Sequence, residues 1–208
     1  MTIRSILTGA MLVFATAVIT SHVVSRDAKL AKQAPPMSTE EQTMLKKTEA
    51  YATPNDHHKI LDAKIGRWND TLRFWMDANS PPHESKCTSE FAWVMDGRYL
   101  TEHTSGTTPS GLFEGMGWSG YDNLKNRYVK VWIDNTLTGI MYFEGTYDNK
   151  TKTFTYASET PDIEAGKYVQ NRWTEKWVSP DKFVVESFVA GNDGKEFKCF
   201  EVTYVRAK

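Results

Sequence analysis

From Arg67 to the C-terminus, short runs of alternating apolar and polar residues repeat about every ten residues. The alternation is clear where Phe183, Val185, Ser187 and Val189 stand at every second position. This period is typical of half-buried β-strands, and turn-forming clusters separate the runs. The pattern predicts these strands: Arg67–Met76, Lys86–Met95, Arg98–Ser105, Phe113–Tyr121, Arg127–Asp134, Ile140–Tyr147, Thr151–Ala157, Tyr168–Val178, Lys182–Val189 and Glu196–Val205.

The order of these runs predicts the fold class. No segment with helical periodicity interrupts them, which argues against parallel strands joined by helices. Consecutive strands with hairpin links form an antiparallel meander, and its closure into a barrel removes the exposed edges. We therefore expect an all-β fold, a lipocalin- or calycin-like antiparallel barrel of about ten strands. One or two short helices precede it, the first of them opened by a capping box of Ser38 and Glu41.

The N-terminal 25 residues have the three parts of an export signal. Arg4 supplies the positive charge, an uncharged run extends to Thr20, and small residues stand at candidate cleavage points. We interpret residues 1–25 as a signal peptide or an uncleaved signal-anchor, 26–37 as a polar linker, and 38–208 as one barrel domain with a leading helix. The expected location is the periplasm or the cell exterior, or alternatively the membrane, to which the N-terminal segment would anchor the protein.

Composition narrows the class of partner. The chain has 25 basic and 26 acidic residues, a formal net charge of −1, which argues against nucleic-acid binding because that function requires a strongly basic patch. Aromatic residues make up 12% of the chain and favour half-buried β surfaces. The expected partner is a small apolar or aromatic molecule, with membrane contact only through an uncleaved N-terminal segment.

Two cysteines, Cys87 and Cys199, lie in the exported part. An even pair outside the cytoplasm favours a disulfide. In a closed barrel, however, the second and last predicted strands are separated by the first, and strands two apart exceed the reach of a disulfide. A disulfide and two free thiols both remain open.

An ordered set of short motifs runs through the predicted strands. They are Gly66-Arg67-Trp68, Trp93 to Leu100, Phe113 to Gly117 with Gly120-Tyr121-Asp122, Trp132-Ile133-Asp134, and Gly145 to Asp148. The set resembles the bacterial domain-of-unknown-function family 1579 over about residues 54–206. The resemblance implies a calycin-like barrel and a bacterial source, and it brings no activity and no catalytic residues.

Neither the glycine motif nor the histidines of the sequence indicate a nucleotide or metal site. Residues 115–120 spell G-x-G-x-x-G, but a turn and another strand follow instead of the helix that a dinucleotide site needs. We therefore expect a glycine-bearing strand that bends or packs closely against a neighbour. The histidines lack metal-ligand spacing, so surface or capping roles are favoured, and His103 is the only candidate haem ligand among them. We predict no cofactor.

Polar residues among the strand aromatics form the candidate ligand site. If Lys130, Trp132 and Asp134 face one side of their strand, Val131 and Ile133 face the other. The default for a barrel strand puts the valines inside. The alternative puts the polar groups inside, where they would orient a ligand. The candidate ligand-binding residues are Arg98, Tyr128, Trp132, Asp134, Glu144 and Arg172.

Three functions remain open. The first is an exported, non-enzymatic barrel that binds a small, partly apolar molecule, argued in part from the fold. The second is a lyase, isomerase or hydrolase that uses Asp134 and Glu144 with Arg98 or Arg172, which requires these groups to meet in one cavity. The third is a membrane-anchored envelope protein with a structural or interaction role.

Overall fold

The computed structural model describes residues 36–163, 165–191 and 194–208. The predicted signal segment and nearly all of the predicted linker lie outside this part of the chain. The chain divides into two units, residues 1–45 and 46–208. Among the described residues no helix has the length and apolar character needed to cross a membrane.

Helix α1 spans Thr39–Ala52 and buries none of its residues. The predicted capping box is present, because the Ser38 backbone amide donates to Glu41 Oε2 over 2.7 Å and the Glu41 amide donates to Ser38 Oγ over 3.2 Å. These two bonds satisfy donors that the first turn of a helix leaves free.

A short helix and a 3₁₀ helix lead into the first strand. Helix α2 spans Asp56–Lys59, and the 3₁₀ helix spans Ile60–Lys64. Asn55 caps α2: its side-chain oxygen accepts from the His57 amide, and its own amide donates to Nδ1 of His58.

All ten predicted strands form, and they close into one antiparallel barrel in which each strand pairs with its neighbours in sequence and β1 pairs with β10. The strands are β1 (Gly66–Phe74), β2 (His83–Val94), β3 (Tyr99–Thr108), β4 (Gly111–Asp122), β5 (Arg127–Asp134), β6 (Met141–Asp148), β7 (Thr153–Asp162), β8 (Lys167–Ser179), β9 (Lys182–Ala190) and β10 (Glu196–Arg206). The predicted all-β barrel is confirmed. Closure leaves no strand edge unpaired, as the meander required.

The 3₁₀ helix covers one end of the barrel, which we call the closed end. Arg206 donates from Nη1 to the Ile65 carbonyl oxygen over 2.8 Å and from Nη2 to the Ala63 carbonyl oxygen over 2.9 Å, and its guanidinium lies 4.2 Å from the Trp68 ring centroid. The Trp68 indole in turn donates to the Lys64 carbonyl oxygen over 2.7 Å. Bonds from a charged guanidinium are stronger than neutral ones, so this junction fixes the helix on the barrel.

Aromatic side chains fill the interior next to the closed end. Phe183 and Tyr204 stack with ring centroids 4.2 Å apart, and Trp68 meets Phe183 edge to face at 4.9 Å. Leu61 of the 3₁₀ helix is fully buried with them. Each such side chain contributes roughly 1.5–3 kcal/mol when it leaves water, so this packed half holds the barrel together.

The two cysteines are both free thiols in the described part of the chain, with Cys87 buried and Cys199 partly buried. Cys87 lies opposite Asp70, and β1 stands between β2 and β10. The barrel geometry therefore favours two free thiols over the disulfide.

Candidate functional site

The half of the barrel away from the closed end contains a cavity of about 310 Å³. This volume is at the lower end of the range for small-molecule sites, about 300–1,000 Å³. Apolar and aromatic side chains form most of its wall, among them Leu72, Trp132, Phe143, Trp173, Phe200 and Val202. The cavity reaches the rim of the barrel, where Phe74 is 45% exposed. We call this rim the open end.

Strand β5 turns its polar side chains inward. Lys130, Trp132 and Asp134 line the cavity, so Val131 and Ile133 face outward. The default expectation, with the valines inside, is therefore wrong. It fails because the Lys130 ammonium meets two buried carboxylates, Glu102 on β3 at 3.1 Å and Glu175 on β8 at 3.5 Å. A buried charge is tolerated when it is paired in this way.

A chain of alternating charges forms the floor of the cavity. Lys64 from the 3₁₀ helix pairs with Glu175, Glu175 with Lys130, and Lys130 with Glu102. Tyr204 completes the chain by donating its hydroxyl to Glu102 Oε1 over 2.8 Å. The floor therefore joins the 3₁₀ helix to four strands of the barrel, β3, β5, β8 and β10, with two positive and two negative groups.

Neighbouring charges in the floor favour the charged forms of Glu175 and Lys130. Burial would raise the pKa of the Glu175 carboxyl, but the ammonium groups of Lys64 and Lys130 keep that pKa below its ordinary value. Burial would likewise lower the pKa of Lys130, but the carboxylates of Glu102 and Glu175 raise it well above its ordinary value. Lys130 is therefore a fixed cation and not a nucleophilic amine at neutral pH.

Two glycines make room for the Trp132 ring in the wall. A Cβ added at Gly115 would overlap this ring, and one added at Gly117 would lie 3.1 Å from it. The indole nitrogen of Trp132 donates to Asp134 Oδ2 over 2.9 Å. The other carboxylate oxygen of Asp134 accepts from the Thr136 amide over 2.8 Å and from the Thr136 hydroxyl over 2.5 Å, so the three bonds fix Asp134 at the rim. The G-x-G-x-x-G motif thus belongs to a strand that packs closely against its neighbour.

A second polar cluster lies beside the floor. Ser89 Oγ donates to Asp70 Oδ2 and lies 2.6 Å from Thr104 Oγ1. Asp70 is 2% exposed, and its other carboxyl oxygen has no hydrogen-bond partner among the described residues. Burial, with the nearby Glu102 carboxylate, raises the pKa of Asp70 to about 7, although the Ser89 hydrogen bond opposes the shift.

The candidate haem ligand His103 lies away from the cavity. His103 lies on the outer face of β3, where its ring is 3.2 Å from the Glu114 carboxylate. Among the described residues, no group of three or more His, Cys, Asp or Glu side chains is placed to hold a metal ion.

The comparison with known families agrees with the barrel fold and with the motifs in the sequence. A family model described as a protein of unknown function, DUF1579, matches residues 53–206. The chain belongs to the DUF1579 family. This match covers nearly the same residues as the motif resemblance, and it includes every strand of the barrel. No curated protein matches the sequence.

Solved structures similar to this DUF1579 barrel support the fold. The crystal structure of Rv2717c from M. tuberculosis has a TM-score of 0.52 at 12% identity, covering 75% of this chain and 100% of that one. The S-type phycobiliprotein lyase CPES from Guillardia theta has a TM-score of 0.50 at 11% identity, covering 73% of this chain and 93% of that one. At these identities the similarity shows the fold alone.

The structure brings together only part of the predicted site of the DUF1579 barrel. Trp132 and Asp134 line the cavity. Tyr128 also points inward, but it lies in the packed core near the closed end and donates its hydroxyl to the His57 carbonyl oxygen over 3.1 Å.

The three remaining predicted residues lie outside the cavity. Arg98 stands in the turn between β2 and β3 and donates to the Met95 carbonyl oxygen. Glu144 faces outward from β6 and pairs with Lys125. Arg172 faces outward from β8 and forms an ion pair with Glu196 at 2.7 Å. Asp134 and Glu144 are therefore on opposite faces of the sheet, and they cannot share a substrate as the enzyme hypothesis required.

The sequence-based site also left out Glu102, Glu175 and Trp173, which all line the cavity. The alternation of apolar and polar residues contained a signal that the two glutamates face inward. Glu175 shares its strand face with Trp173, and Glu102 shares its face with Leu100, so each is a charged residue at a position that the apolar pattern assigns to the interior.

Proposed function

We propose that this protein binds a small, largely apolar molecule in the cavity at the open end of its barrel. The observation that carries the proposal is the contrast between the two halves of the interior. One half is packed with aromatic rings, whereas the other keeps about 310 Å³ of open space behind an apolar wall. Protein interiors are normally close-packed, and unfilled apolar space costs stability, so a retained cavity favours a ligand.

The wall and the floor support different parts of the proposal. Aromatic side chains such as Trp132, Phe143 and Trp173 offer flat apolar surfaces for a ring or a short hydrocarbon. A few polar groups at the floor and the rim would orient the molecule, as they do in most small-molecule sites. The sequence of residues 1–25 supports the further proposal that binding takes place in the periplasm or outside the cell.

A fluorescence titration tests the proposal. N-Phenyl-1-naphthylamine is a neutral dye that brightens in apolar surroundings, and we expect one saturable site per barrel. Met141→Trp places an indole in the cavity that Met141 lines, and we expect it to weaken dye binding at least about tenfold. Ile140→Trp is the matched control, because Ile140 is 70% exposed.

The two variants separate cavity binding from surface binding. The control should bind the dye as the wild type does. If the wild type shows no saturable binding, or if Met141→Trp binds the dye as tightly as Ile140→Trp while both remain folded, the cavity is not the binding site and the proposal fails.

A further inference from the structure

The charges around the cavity are unevenly distributed. The charged side chains that line it are Glu102, Lys130, Asp134 and Glu175. Lys130 is the only cation among these lining residues of the described chain. Lys64 adds a second positive charge behind Glu175. These five groups have a formal net charge of −1, so a negatively charged ligand would meet a site of its own sign.

The positive charges of the floor are already engaged. The Lys130 ammonium lies between Glu102 at 3.1 Å and Glu175 at 3.5 Å, and its side chain is 12% exposed. The Lys64 ammonium pairs with Glu175 and lies 5.3 Å from the Phe154 ring centroid. A ligand carboxylate would have to compete with buried carboxylates for either ammonium, which leaves a buried charge unpaired.

By contrast, the Asp134 carboxylate at the rim has no cationic partner among the described residues. It accepts hydrogen bonds from Trp132 and from Thr136, and none of the ion pairs formed by the described residues includes it. Among the described residues Oδ2 accepts from one donor, the Trp132 indole, so it keeps capacity for a second. A cationic amine is the ligand group that would supply both the missing charge and the missing donor.

The space between the floor and the rim matches a compact ring system. Lys130 and Asp134 are four residues apart on β5, about 13 Å along the strand. The Trp132 and Trp173 rings form part of the cavity wall, and aromatic faces attract cations as well as apolar rings.

We propose that the cavity binds a small aromatic or apolar amine, with the ring system of the amine against the aromatic wall and its ammonium at Asp134. The cavity would discriminate against carboxylates. This proposal rests on the function proposed above and names the ligand class of the same site.

Three matched compounds test the ligand class by displacement of N-phenyl-1-naphthylamine. They are 1-naphthylmethylamine, 1-naphthalenemethanol and 1-naphthoate, which share a ring system and are cationic, neutral and anionic at pH 7. We expect the amine to displace the dye at the lowest concentration and the carboxylate to need at least about tenfold more.

Variants at Asp134 assign the preference to that residue. In Asp134→Asn the affinity for the amine should fall about five- to tenfold while that for the alcohol stays the same. Asp134→Glu keeps the charge and should keep the preference for the amine. Glu144→Gln, which removes an outward-facing carboxylate of β6, should change neither the affinity for the amine nor that for the alcohol.

The outcomes separate the ligand class from the binding function. If the dye binds but the carboxylate displaces it as well as the amine does, or if Asp134→Asn weakens the amine and the alcohol equally, the amine proposal is overturned and cavity binding stands. If neither the dye nor any of the three compounds binds the wild type, the proposed function fails as well.

Discussion

The ammonium of Lys130 on β5 lies 3.1 Å from the carboxylate of Glu102 on β3, and both groups are inside the barrel. Glu102 also accepts the hydroxyl of Tyr204 on β10. One carboxylate thus links three strands and forms part of the cavity floor. The arrangement satisfies charges that would otherwise make burial very costly.

Removal of the Lys130 charge should destabilise the barrel strongly. Lys130→Met leaves Glu102 buried with Tyr204 as its remaining hydrogen-bond donor among the described residues, and removing one partner of a buried pair costs about 3–5 kcal/mol. Urea unfolding measures the change in the free energy of unfolding. Lys125→Met breaks the exposed pair with Glu144 and is the matched control, for which we expect little change. If the two substitutions lowered the free energy of unfolding equally, the buried pair of Lys130 and Glu102 would contribute no more to stability than the exposed pair of Lys125 and Glu144.

Ionisation of Asp70 should make stability depend on pH. The pKa of Asp70 is about 7 in the folded protein against an ordinary value of 3.8, so between these values the folded chain binds a proton that the unfolded chain has lost. The free energy of unfolding therefore falls as the pH rises through this range. We expect wild type to lose about 2–3 kcal/mol relative to Asp70→Asn between pH 5 and pH 8. Parallel pH profiles for the two proteins would contradict the raised pKa.

The space beside Gly115 should control the shape of the cavity. In Gly115→Ala the new methyl group overlaps the Trp132 ring and must displace it, which removes part of the cavity wall and disturbs its bond to Asp134. We expect weaker binding of N-phenyl-1-naphthylamine in a barrel that still folds. Gly117→Ala has more room, with 3.1 Å to the same ring, and should have a smaller effect. A larger effect at Gly117 would be inconsistent with the position of the ring.

The cysteines should remain reduced even when the protein is produced in an oxidising compartment. Cys87 is buried and β1 separates its strand from that of Cys199, so a disulfide would require the barrel to open. Mass spectrometry without reducing agent should therefore find two free thiols, and both should react with a thiol reagent faster after unfolding than before. An intact Cys87–Cys199 disulfide would contradict the strand order.

The strands could be predicted from the sequence because their signal is local. Phe200, Val202 and Tyr204 alternate with polar neighbours, and all three lie inside the barrel. The inward face of β5 could not be predicted in this way. The partners of Lys130 come from β3 and β8, and the pattern of one strand does not show which charges the others place opposite it.

The predicted site was incomplete for a related reason. Asp134 and Glu144 are ten residues apart, an even spacing that would put them on one face of a continuous strand. The loop between β5 and β6 interrupts the alternation, and Glu144 lies opposite Val129 on the outer face. The length and path of such a loop decide which strand positions face the cavity, and hydrophobic periodicity contains no information about them.

The seven tryptophans provide the most direct test of cavity binding. Trp132 and Trp173 line the cavity, whereas Trp93 donates to Asp62 and Trp118 faces outward. In a protein labelled with ¹⁵N-tryptophan, titration with N-phenyl-1-naphthylamine should shift the indole N–H signals of Trp132 and Trp173 and leave those of Trp93 and Trp118 in place. Shifts at Trp118 with none at Trp132 or Trp173 would place the ligand on the outer surface and contradict the account.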